Sequence, residues 1–130
     1  MRRSLPLAIL LLAASATIGS ARADDAQRFV LYFGSWSALI EPAAQQTVAA
    51  AAAAAKQNAD ATIAVTGYAS TIGSTAANTL LAQLRAQIVY DELIADGVSA
   101  SRIILTATGA TSFLVEPVES RRVVIEIARP

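Results

Sequence analysis

Seven consecutive alanines, at positions 49–55, constrain this 130-residue chain more than any other feature. Alanine is the best helix former. Pro42 fits a helix's first turn, where its missing N–H has no partner to lose. A helix over residues 41–58 follows. Its difficulty is burial, because an alanine methyl removes little apolar area from water. Such a helix holds only by lying close against a sheet, with Ile40 and Val48 as its larger anchors. Low-complexity disorder is the competing outcome for an alanine tract. The helix-start signal and the strand-like segment that follows argue against it.

The remaining segments supply that sheet. Residues 28–33 (RFVLYF) form an apolar, aromatic and β-branched run bounded by Gly34 and Ser35, which reads as a strand. Residues 61–66 (ATIAVT), 101–108 (SRIILTAT) and 121–128 (RRVVIEIA) read the same way. A second helix starts at Ser74 or Thr75, runs to about Ala95 and stops at Gly97. A loop over residues 109–120, containing Pro117, precedes the last strand. The order β-α-β-α-β-β implies an α+β fold, a four-stranded mixed sheet with two helices packed on one face. At about 100° per residue the second helix carries two apolar stripes. Ala82, Ala86, Val89 and Leu93 make one, and Leu80, Leu84 and Ile88 the other. One sheet covers only one of them. The second is covered by loops or serves as a surface for a partner or for self-association.

The first residues are not part of this domain. A basic start, an apolar run over residues 5–18 and Ala21-Arg22-Ala23 make a secretory signal peptide over 1–23, leaving a domain over 24–130. The run is shorter than the roughly 20 residues a membrane span requires. With no cysteine near the cleavage site, no lipid anchor is expected. Three of the ten basic residues leave with the signal and all ten acids stay, so seven bases face ten acids and the net charge is −3. That balance argues against a nucleic-acid partner, which requires a basic patch. The chain has no cysteine and no histidine. Disulfides are excluded, the usual ligands of zinc, copper and haem are missing, and no cofactor or metal is expected. The commonest general base is missing too, so the domain is not expected to be an enzyme.

Residues 65–85, VTGYASTIGSTAANTLLAQLR, are where a site is expected. They read as a strand end, a loop bracketed by Gly67 and Gly73, and a helix carrying Arg85. The glycines permit backbone angles that other residues resist. Small hydroxyl residues, Ser70 and Thr71, lie between them. Loops that hand a strand over to a helix commonly hold ligands. The residue missing from this one is a carboxylate.

The residues from about Phe29 to Ile127 resemble the OmpA-like, peptidoglycan-associating domain of bacterial envelope proteins. That family opens with a strand, an F-D-x-x-S-A-x-L turn and a proline-led helix; here that is Phe33-Gly34-Ser35-Trp36-Ser37-Ala38-Leu39-Ile40, followed by Pro42. Its G-H-T-D-x-x-G loop is Gly67-Tyr68-Ala69-Ser70-Thr71-Ile72-Gly73 here. Its N-x-x-L-S-x-x-R-A helix is matched by Asn78, Leu81, Ala82, Arg85 and Ala86, and its N-R-R-V strand by Ser120-Arg121-Arg122-Val123. The helix spacing and the R-R-V together are fairly specific. The resemblance implies a periplasmic domain binding the peptide stem of peptidoglycan without covalent chemistry. The loop aspartate would hold the ammonium of the stem's diamino acid, and the helix arginine its carboxylate. An arginine fork suits a carboxylate. The aspartate position is Ser70 here, the histidine Tyr68, the threonine Ala69 and the asparagine before R-R-V Ser120. The carboxylate-binding half is kept and the ammonium-binding half is not, so weakened binding is expected.

The candidate ligand-binding residues are therefore Ser70, Thr71, Asn78, Arg85 and Arg121. Arg85 either faces the pocket or makes a surface ion pair. Arg121 and Arg122 point to opposite faces of a strand, so only one lines the pocket. Ser70 reads as a loop-capping hydroxyl rather than a nucleophile, since no histidine, lysine or cysteine stands near it in sequence and Lys56 is the only lysine. Tyr68 either stacks on a ligand or covers the sheet end. The alternative to wall binding is an interaction module of the same fold that associates through Leu80, Leu84 and Ile88.

Overall fold

The strands gather into one sheet, although helices separate them in the chain. A computed structural model describes residues 26–70, 72–108 and 117–130. The expected signal peptide, Thr71 and residues 109–116 of the expected loop lie outside the described residues. The elements are β1 (Gln27–Tyr32), α1 (Pro42–Gln57), β2 (Thr62–Tyr68), α2 (Thr75–Ala95), β3 (Ile103–Thr108), a single turn α3 (Pro117–Ser120) and β4 (Arg122–Ala128). The sheet order is β1-β4-β2-β3. Strand β4 runs antiparallel to both β1 and β2, while β2 and β3 are parallel, so the sheet is mixed. The α+β architecture expected from the sequence is the one observed. Element ends differ by a few residues. A 3₁₀ turn, Ala100–Arg102, takes the start of the expected third strand, and β2 continues to Tyr68.

One face of the sheet and both long helices share a core. Leu31, Ile63, Val65, Val123, Ile125 and Ile127 alternate along their strands toward it. Helix α1 buries Ala44, Val48, Ala51, Ala52 and Ala55 at helical spacing, so the alanine methyls do lie against the sheet. Ala49, Ala50 and Ala53 are exposed. Helix α2 buries Ala82, Ala86, Val89 and Leu93, one of the two expected stripes. On the other stripe Leu80 and Leu84 are exposed, and Ile88 is half-buried.

The two glycines that bracket the loop do different jobs. Gly73 has φ +89, a left-handed conformation that favours glycine. Gly67 does not have a positive φ. Its missing side chain matters because a Cβ there would lie 2.1 Å from the Ala82 carbonyl oxygen and 3.0 Å from the Ala86 Cβ. The expectation of special backbone angles at Gly67 is corrected accordingly: β2 and α2 touch there through backbone.

Both helix C-termini are closed. At the end of α2, Gly97 N–H donates to Ile94 and Val98 N–H to Leu93, with Gly97 at φ +96, a Schellman arrangement sealed by buried Val98 and Leu93. At the end of α1, Arg102 donates to the carbonyls of Ala55 (2.8 Å), Asn58 (2.6 Å) and Ala61 (3.1 Å). A cation on the last carbonyls of a helix complements both their unpaired lone pairs and the helix dipole. Arg102→Ala is expected to destabilise the domain by about 2 kcal/mol, measured by urea denaturation. A loss below about 0.5 kcal/mol, the range of an ordinary surface substitution, would show the clamp to be idle.

Candidate functional site

Three chain segments meet at one end of the sheet: the turn after β1, the loop after β2, and the start of β4. The strand register aligns them, since Tyr32 pairs with Arg122 and Gly67 with Val123. A cavity of about 180 Å³ opens between them. Arg85, Arg121, Asn78 and Ser70 line it, together with the exposed Trp36 and Ile72 at its mouth.

Arg85 lies in this pocket, not on the surface, and its accessibility is 1%. Its Nε donates to the Ser37 carbonyl (2.8 Å), Nη1 to Tyr68 (3.1 Å) and Nη2 to Gly34 (3.1 Å). The guanidinium also stands over the Phe33 ring, 5.4 Å from its centroid. It therefore ties the turn after β1 to the end of β2. A guanidinium has five N–H donors, so two remain beyond these three bonds. Burial, and to a lesser degree the charge of Arg121, lowers the Arg85 guanidinium from its ordinary value to about 10. It stays charged at neutral pH. A bound anion would favour the charged form and raise this value again.

The sequence left Arg121 and Arg122 as alternatives, and the structure separates them. Arg121 lines the cavity. Its Nε donates to the Phe33 carbonyl (3.0 Å), while Phe33 N–H donates to the Arg121 carbonyl (2.8 Å), which carries the β1–β4 ladder one residue past the strands. Among the described residues its two terminal nitrogens have no hydrogen-bond acceptor. Arg122 lies over the Tyr68 ring, 4.2 Å from the centroid, and bonds the Glu119 carbonyl. Tyr68 therefore covers the sheet end. Neither Arg85 nor Arg121 has an ion-pair partner among the described residues; the one ion pair there is Arg28 with Glu126.

The loop after β2 is braced from within. Ser70 Oγ accepts from Ile72 N–H (2.9 Å), the loop-capping role expected for it. Asn78, 2% exposed, donates to the carbonyls of Ile72 (2.8 Å) and Ser74 (3.0 Å). Ser74 caps α2 by accepting from Ala77 N–H (3.3 Å). Asn78 thus shapes the loop and lines the cavity with the same side chain. Four of the five candidate residues, Ser70, Asn78, Arg85 and Arg121, come together here. Thr71 lies outside the described residues.

Sequence reasoning missed the apolar mouth. Trp36, the only tryptophan, is 61% exposed and has φ +53, an unusual backbone for a bulky residue. Its ring faces Gly73, where a Cβ would lie 3.8 Å from Cζ2. Ile72 beside it is 74% exposed. A tryptophan in a turn bounded by Ser35 and Ser37 was the available signal. Among the described residues no carboxylate lines this cavity. What the arrangement can do chemically is hold an anion against two guanidiniums with an apolar group at the mouth.

The comparisons with known proteins agree with this architecture. The OmpA-like domain of FopA1 from Francisella tularensis subsp. tularensis SCHU S4 superposes with a TM-score of 0.71 at 22% identity, over 81% of this chain and 73% of that one. The peptidoglycan-associated lipoprotein from Burkholderia pseudomallei gives 0.69 at 20% identity, over 76% and 89%. The periplasmic domain of Helicobacter pylori MotB gives 0.66 at 19% identity, over 82% and 78%. At these identities the likeness is one of fold. A comparison with curated protein sequences gives no match. The family model named OmpA matches residues 32–122, from the end of β1 to the start of β4, and on that match the chain belongs to the OmpA family.

Proposed function

We propose that this domain is a non-enzymatic module of the bacterial cell envelope, exported to the periplasm, that binds the peptide stem of peptidoglycan through its carboxylate. The observation that carries this reading is the pair of guanidiniums, Arg85 and Arg121, on one cavity with no lining carboxylate among the described residues. It is supported by the shared fold of a protein named a peptidoglycan-associated lipoprotein. Ser70 stands where an aspartate would pair with an ammonium. A hydrogen bond to a charged group contributes about 1.5–3 kcal/mol, so its loss weakens binding roughly ten- to a hundred-fold.

Co-sedimentation with purified sacculi tests this. The domain is expected to sediment modestly. Arg121→Gln removes the accessible cation with little effect on the fold and is expected to lower the bound fraction several-fold while lowering Tm by no more than about 5 °C. Equal sedimentation of the two proteins would refute the pocket assignment. Because Arg85 remains charged well above neutrality, the bound fraction is expected to be constant between about pH 6 and 8. A fall across that range would mean that some other group governs binding.

A second reading rests on Leu80 and Leu84, which are 66% and 51% exposed on one face of α2. In it the domain self-associates through this face. Sedimentation equilibrium decides between them, and a strict monomer at high micromolar concentration removes the second.

A further inference from the structure

Within the wall-binding reading, on which this step rests, the site has a charge preference of its own. The Arg85 and Arg121 guanidiniums face one cavity, and among the described residues no acid lines it. Arg85 is 1% exposed and fixed by three carbonyls, so it cannot swing away from an incoming cation. An ammonium placed beside a carboxylate in this cavity meets two like charges and, among the described residues, no counter-charge to replace its water. A neutral amide in the same place meets neither penalty. Ser70 adds a fitting donor. Its Oγ already accepts from Ile72 N–H, which leaves the hydroxyl proton to donate to a carbonyl oxygen. The exposed Trp36 and Ile72 offer an apolar rest for the carbon attached to that carbonyl.

We propose that this pocket selects a carboxylate whose neighbouring amine is acylated, and discriminates against the free zwitterion. In a peptidoglycan stem, that is the diamino acid after its side-chain amine has been joined to another stem. The domain would then read cross-linked wall in preference to uncross-linked wall. The discrimination works by an unpaired charge in the wrong ligand as much as by contacts to the right one.

The test uses two soluble stem peptides ending in the diamino acid. One has its side-chain amine free, and the other has that amine acetylated. Titration is followed by the fluorescence of Trp36, the only tryptophan in the chain, and by calorimetry. The acetylated peptide is expected to bind about tenfold tighter or more. Ser70→Asp, which places an acid in the cavity lining, is expected to reverse the ranking. A free-amine peptide that binds the unaltered protein as tightly as the acetylated one overturns the selectivity and leaves the wall-binding reading standing. Failure of both peptides to bind overturns the two together. A ranking that Ser70→Asp leaves unchanged overturns the placement of the acyl group beside Ser70.

Discussion

Gly67→Ala is expected to lower the stability of the domain by about 3 kcal/mol, or roughly 10–20 °C in Tm. Thermal and urea denaturation followed by circular dichroism would measure it. The added methyl would sit 2.1 Å from the Ala82 carbonyl oxygen. That atom is helix backbone and cannot rotate aside as a side chain can. Either α2 lifts from β2, or β2 shifts within its ladders to β3 and β4. Each path opens gaps around Ala82, Ala86 and Val89, all fully buried, and close-packed interiors do not absorb such gaps without cost. Gly73→Ala is the contrast. It strains a left-handed backbone at an exposed loop and meets only the edge of Trp36, so a cost of about 1 kcal/mol is expected. Equal effects at the two glycines would show that α2 is not seated on β2 through backbone contact.

The fold was largely legible because its signals are local. Pro42 and the alanine tract specify α1, Ser74 and Gly97 bracket α2, and the short β-branched runs mark the strands. Strand ends were less legible, since pairing and not composition sets them. The β1–β4 ladder continues past both strands only because the Phe33 and Arg121 backbones bond each other and the Arg121 side chain reaches back. The site was legible as a set of positions more than as a set of roles. Arg85 and Arg102 both act on backbone carbonyls, those of Arg85 lying 17 to 51 residues away and those of Arg102 41 to 47. Nothing in the local sequence tells such an arginine from one held ready for a ligand. The positive φ of Trp36 is likewise a product of the turn's surroundings.

That dual position of Arg85 gives the largest expected effect. Arg85→Ala is expected to cost about 3–5 kcal/mol, seen as a lower urea midpoint at unchanged slope. The substitution removes the donors from the Gly34, Ser37 and Tyr68 carbonyls and leaves a cavity beside Phe33. These acceptors are only partly shielded from water, so losing their donor costs a share of the desolvation penalty, to which the cavity left by a fully buried side chain adds. Arg85→Lys is expected to recover only part of the loss, because an ammonium is a compact charge without the planar fork that spans the three acceptors. Arg121 differs. It is half-buried, with one bond to the Phe33 carbonyl, so Arg121→Gln is expected to cost under about 1 kcal/mol. Stability and sacculus binding should therefore fall together for Arg85 and separate for Arg121. If Arg85→Ala folds with stability within about 1 kcal/mol of the unaltered protein, its three carbonyl bonds are incidental. The guanidinium would then be held in place for the ligand alone.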